Sequence, residues 1–289
     1  MITDLFFAPF IEFEFMRRAL VGASAVALAS APIGIFLMLR RMSLTGDAMA
    51  HAILPGAAIG YLVAGLSLGA MTAGGLLAGF VVAIASGAVA RVTALREDAT
   101  LAAFYLISLA LGVTIVSVKG SNIDLLHVLF GNVLALDDAT LYLLAGFASL
   151  SLAGLAVIYR PLVMETVDPL FLASVSSAGA PVQLIFLGLV VMTLVAGFHA
   201  LGTLMAVGIM MLPAASARFW SADISKMMVI ACGLGVASAY AGLLLSYHTG
   251  APSGPLVILV AGFCYLVSMI FGQAGGLIRL IRPRRHLEG

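Results

Sequence analysis

Apolar stretches of membrane-spanning length recur along this chain, at residues 19–39, 46–67, 70–90, 99–118, 140–158, 181–198, 202–217, 226–247 and 254–273, with short polar breaks between them. A span needs about 20 mostly apolar residues, and a helix satisfies its backbone polar groups within one segment. Strand-like alternation punctuated by turn signals is missing. The pattern therefore predicts an all-α polytopic bundle of about nine transmembrane helices. The sixth and seventh runs are parted only by HALGT at 199–203; they read as a helical hairpin, and counting them as one span gives eight.

Composition agrees with this reading and narrows the class. Hydrophobic residues make up 63% of the 289 and charged residues 9%, where a soluble domain carries about a quarter charged. Mean hydropathy is +1.18. A net charge of +1 offers no attraction for nucleic acid. Cys232 and Cys264 both sit in apolar runs, so they read as small core residues and not as a disulfide framework. The start, MITDLFFAPFIEFEF, carries acids and lacks a basic opening or small-residue cleavage site. It is expected to lie along the membrane surface.

Charge also orients the chain. With nine spans and the C-terminus inside, 11 of the 14 Lys and Arg residues fall on the cytoplasmic side, leaving Arg17, Arg18 and Lys119 outside. Two connections exceed simple turns. SNIDLLHVLFGNVLALDDAT, with Asp124, Asp137 and Asp138, would face outward and form a short surface helix. RPLVMETVDPLFLASVSSAGAP would face the cytoplasm and carries Glu165 and Asp168. A helix opening at Asp168 with Pro169 in its first position would be well capped.

Chemistry concentrates in GDAMAHAILPG at 46–56. Of the 13 acids, Asp47 alone falls inside an apolar run. An ionisable group there costs a few kcal/mol, so it normally marks an ion or substrate path. His51 follows four residues later on the same helical face. Pro55, four further on, has no N–H to give the His51 carbonyl and kinks the helix. A carboxylate with an imidazole suits Zn²⁺, Mn²⁺ or Fe²⁺; Cu⁺ would call for thiolate or thioether, and Mg²⁺ or Ca²⁺ for oxygens alone. The 14 methionines do not cluster at ligand spacing. The competing reading makes Asp47 a helix cap with His51 bonded to a neighbour. His199, at the tight turn between the sixth and seventh spans, is a further candidate ligand; His127 and His248 also map to the outer side. No HExxH, GxSxG or P-loop occurs, so no catalytic residues are assigned.

Two stretches carry a family resemblance. LRRMSLTGDAMAHAILPGAAIGYLVAG (39–65) and ALGTLMAVGIMMLPAASARFW (200–220) resemble the permease subunit of bacterial zinc, manganese and iron ABC uptake transporters. The similarity runs from about Phe10 to Gly272. The resemblance implies one permease domain over 1–289: an interfacial segment at 1–18, the bundle at 19–273, a cytoplasmic coupling segment at 160–181 and a basic tail at 274–289. It implies a homodimer in the bacterial inner membrane, resting on a separate ABC ATPase and fed by an extracytoplasmic metal-binding protein, with no cofactor of its own. Asp47 and His51 fall on the family's cation-path positions. The stretch Asp168 to Gly179 matches its coupling segment, where Leu170, Phe171 and Leu172 are expected to anchor in the ATPase.

Alternating access is the implied mechanism, and the small-residue pairs Gly56/Gly60, Gly65/Gly69 and Gly75/Gly79 would let helices approach closely. A proton-coupled secondary cation transporter would also use intramembrane Asp and His. It usually shows several buried acids and inverted repeats, however. A sensor or structural protein would have no need of Asp47.

Overall fold

The computed structural model describes residues 2–65, 67–93, 97–118 and 133–278, the side chains of 2–5, 91, 97, 116, 118 and 199 apart. The helices are α1 (Ile2–Glu12), α2 (Glu14–Leu39), α3 (Thr45–Ala52), α4 (Leu54–Ala64), α5 (Leu68–Val92), α6 (Glu97–Val118), α7 (Asp138–Val167), α8 (Pro169–Val175), α9 (Gly179–Arg218), α10 (Ile224–Thr249) and α11 (Ser253–Phe271). Nine stretches among the described residues are long and apolar enough to cross a membrane. α3 and α4 together make the second span, and the two limbs of α9, Gly179–Phe198 and Ala200–Arg218, make the sixth and seventh.

The α9 limbs form the hairpin that HALGT suggested. Gly202 adopts φ 79°, ψ 164°, a backbone open to glycine because a Cβ would clash there. A methyl group built on Gly197 would stand 2.7 Å from Cβ of Ala206. Nine residues of straight helix would separate those positions by about 13 Å, so the chain reverses and nine spans replace eight. Spans one, six and seven are the most buried. α2 packs against α9, α10 and α7, and Gly34 of α2 abuts the Met210 carbonyl.

The small-residue pairs divide. Gly56 and Gly60 of α4 rest on the backbone of Gly74 and Ala70 in α5, while Gly75 and Gly79 accommodate Ile53 and Val191. Gly65 and Gly69 meet nothing within 4 Å among the described residues. The expectation that they pack was mistaken, because Gly65 (φ 64°) ends α4 in a turn.

The N-terminal segment is helical and held to span eight. Phe10 stacks on Tyr240 at 5.0 Å, and the Tyr240 hydroxyl donates to the Phe6 carbonyl at 2.8 Å. The outward pair Arg17 and Arg18, which ran against the charge rule, has local partners. Arg18 meets Glu14 at 2.7 Å and Asp138 at 3.0 Å, and Arg17 donates to the Ile11 carbonyl at 2.8 Å.

α7 runs on to Val167, so the first part of the connection expected to face the cytoplasm continues the fifth span as helix. α8 then starts as expected: the Phe171 N–H donates to Oδ1 of Asp168 at 2.9 Å, with Pro169 in the first position. Leu172 is 4% exposed while Leu170 is 83% and Phe171 51% exposed. Leu172 is thus already buried in its own chain, which removes it as an anchor for another protein. Of the segment 121–140, expected to form an outward surface helix, residues 121–132 lie outside the described residues, as do residues 279–289 of the expected tail at 274–289. Val133–Ala135 forms a 3₁₀ turn leading to Asp137, which caps α7.

Candidate functional site

The second span breaks where Pro55 enters. α3 ends at Ala52 and α4 resumes at Leu54, with the Ile53 N–H donating to Met49 at 3.2 Å and the Ala57 N–H to Ile53 at 3.1 Å. Span four braces the break. The Ser108 hydroxyl donates to the Ala52 carbonyl at 2.9 Å, and a Cβ on Gly112 would stand 3.1 Å from the Pro55 nitrogen. Gly46 opens α3 against the methyl end of Met210, so α3 is seated between α6 and α9.

On that short helix, Nε2 of His51 lies 3.6 Å from Oδ1 of Asp47, with side chains 27% and 61% exposed. Among the described residues His51 is the carboxylate's sole recorded partner. The α3 N-cap position, Leu44, makes no side-chain cap, so the geometry does not favour the capping alternative. The His51 ring lies against Tyr105 with centroids 6.4 Å apart and planes 30° apart. Its Nδ1 is buried without a hydrogen-bond partner.

Two ligands about 2.1 Å from one ion stand about 3 Å apart, and Nε2 of His51 and Oδ1 of Asp47 stand 3.6 Å apart. The pair is therefore spaced so that a small closure would let both donors grip one cation. No group of three His, Cys, Asp or Glu occurs among the described residues, and those residues bring two such donors to this point.

His199 ends the first limb of α9, and its side chain lies outside the described residues, as does His127. His248 is in the last turn of α10, edge-on to Tyr247 at 5.3 Å. Sequence reading missed Tyr105, Ser108 and Gly112. Their i, i+3, i+7 spacing, with Ser108 and Gly112 as a small-residue pair, was the signal available.

A polytopic helical bundle whose second span breaks beside a carboxylate and an imidazole is built as a membrane transport protein. The sequence pattern of the ABC 3 transport family matches residues 12–272, and the chain belongs to that family. It is 31% identical over 288 residues to the manganese transport system membrane protein MntC of Halalkalibacterium halodurans, covering 98% of this chain and 96% of the relative. It is 30% identical over 272 residues to the manganese import system permease protein ScaB of Streptococcus pneumoniae, covering 93% and 94%. The solved structure of PsaBC from Streptococcus pneumoniae in complex with Fab superposes with a TM-score of 0.84 at 26% identity, covering 97% of this chain and all of that one.

Proposed function

We propose that this chain is the permease subunit of an inner-membrane ABC importer that carries a divalent transition metal ion, manganese first, into the cytoplasm. The observation that carries the reading is the Asp47–His51 pair, with Nε2 of His51 3.6 Å from Oδ1 of Asp47 beside the interruption of the second span at Ile53. Its oxygen and nitrogen donors, without thiolate, suit Mn²⁺ as well as Zn²⁺ or Fe²⁺. The names of the relatives favour manganese. A carboxylate 61% exposed on a spanning helix is costly against lipid. Pairing with a second copy would cover it and double the donors, so we read the working unit as a homodimer.

A separate ATPase and an extracytoplasmic binding protein complete the machine, and the chain is one permease domain over 1–289. The exposed Leu170 and Phe171 of α8 are the anchors offered to the ATPase, with Asp168 holding the helix start and Gly179 closing against Glu165. Ions delivered outside pass Asp47 and His51 when the ATPase cycle rocks the helices. Metal analysis of cells lacking the chain, grown in metal-poor medium, tests the reading. It predicts a fall in manganese restored by the intact gene; unchanged manganese would count against it, and a selective fall in zinc or iron would reassign the cargo.

A further inference from the structure

A groove of about 310 Å³ opens on the flank formed by α10 and α11, lined by Trp220, Ile230, Leu234, Phe263, Val267 and Ser268. Its walls are apolar, but its end is not. The Trp220 indole N–H donates to the Ser268 hydroxyl at 2.9 Å, and the Ala274 N–H donates to the Phe219 carbonyl at 2.7 Å. The Trp220–Ser268 bond lies within the groove lining, and Lys226, outside that lining, stands one helical turn before Ile230 on α10. Lys226 heads a stripe with Ile230 and Leu234 at four-residue spacing, so it shares their helix face. Neither Lys226 nor Arg218 forms an ion pair among the described residues. The nearby Asp223 carboxylate is engaged at the start of α10, accepting the Lys226 backbone N–H at 2.9 Å.

We infer that this groove is a binding site for an anionic phospholipid, with an acyl chain against Ile230, Leu234 and Phe263 and the headgroup phosphate at the Lys226 ammonium. The apolar body excludes a free phosphate ion, and the cation at its mouth selects an anionic headgroup over a zwitterionic one. The flexible lysine stem can reach the headgroup level, and an indole at the groove's end suits the membrane interface. The placement rests on the pairing proposed above. α3 packs against α6 and α9, whereas α10 and α11 pack against each other, α2 and α9. A second copy pairing at the α3 face would leave this flank to lipid.

Native mass spectrometry of the full-length chain in mild detergent, titrated with phosphatidylglycerol, phosphatidylcholine or inorganic phosphate, reads the site without metal or ATPase. Phosphatidylglycerol should be retained over phosphatidylcholine, with no phosphate adduct. Lys226→Gln should lower phosphatidylglycerol retention about fivefold, as loss of one juxtamembrane cation implies. Leu234→Trp, which fills the groove, should abolish it while the melting temperature holds. Equal retention of both lipids, no change in Lys226→Gln, or ready disulfide cross-linking of two copies through Phe263→Cys would overturn the assignment. Manganese uptake is read apart from the lipid titration, so a failure of the cargo reading can be told from a failure of the lipid site.

Discussion

The hydroxyl of Ser108 in span four donates to the carbonyl of Ala52 in span two at 2.9 Å, one helical turn from Pro55 and next to His51. That bond supplies a donor where the proline disturbs the helix. Removing it in Ser108→Ala should cost about 1 kcal/mol, within the range for interhelical bonds in membranes, and reduce uptake. Ser108→Thr, which keeps the hydroxyl, should restore both, as read by thermal melts and transport.

The α4–α5 contact tolerates no side chain. A Cβ on Gly74 would collide with the Gly56 carbonyl, and neither backbone can swing aside as a side chain could. Gly74→Ala should therefore cost about 1–3 kcal/mol or more. Gly69→Ala, with nothing within 4 Å, should be neutral or slightly stabilising. Melting temperatures in detergent distinguish the two.

The neighbouring residues of α8 should separate docking from folding. Phe171→Asp changes an exposed position and should leave the melting temperature within a degree or two, while ATPase co-purification and uptake are lost. Leu172→Asp buries a charge and should destabilise the chain by several kcal/mol. Asp168→Ala removes the cap and should cost about 1 kcal/mol.

The nine spans were legible because bilayer thickness imposes a length and an apolar content that any sequence must display. The α8 cap was legible for a related reason: Asp168 and Pro169 act locally. Burial of Leu172, by contrast, depends on the fold around α8, and local sequence cannot report it. The idle Gly65/Gly69 pair shows the same limit, since spacing identifies a possible contact without a partner. Asp47 and His51 stood out as an acid and an imidazole in apolar sequence. The contact of Tyr105 with the His51 ring and the bond of Ser108 to the Ala52 carbonyl required span four to be placed beside span two.

Acid should weaken the outer end of span five. Asp137 caps α7, and bonds from the Thr140 side chain first, then from its backbone N–H, hold the carboxyl below its ordinary value. A lowered folded-state pKa contributes stability that is complete above the usual carboxylate range and lost as pH falls through the folded value. Melts of the intact chain should soften below about pH 4. Asp137→Asn, which retains a capping oxygen without the charge, should show a flatter acid limb; identical acid limbs would contradict this role.

The central claim is that Asp47 and His51 hold the ion in transit. Radiolabelled manganese uptake into vesicles carrying the complete transporter, with a melting curve for each variant, tests it most directly. Asp47→Asn and His51→Ala should each fold normally and take up no manganese above background. The double variant should be no worse than either, because ligands acting as one unit are not additive. A folded Asp47→Asn protein that imports manganese at the wild-type rate would contradict the claim.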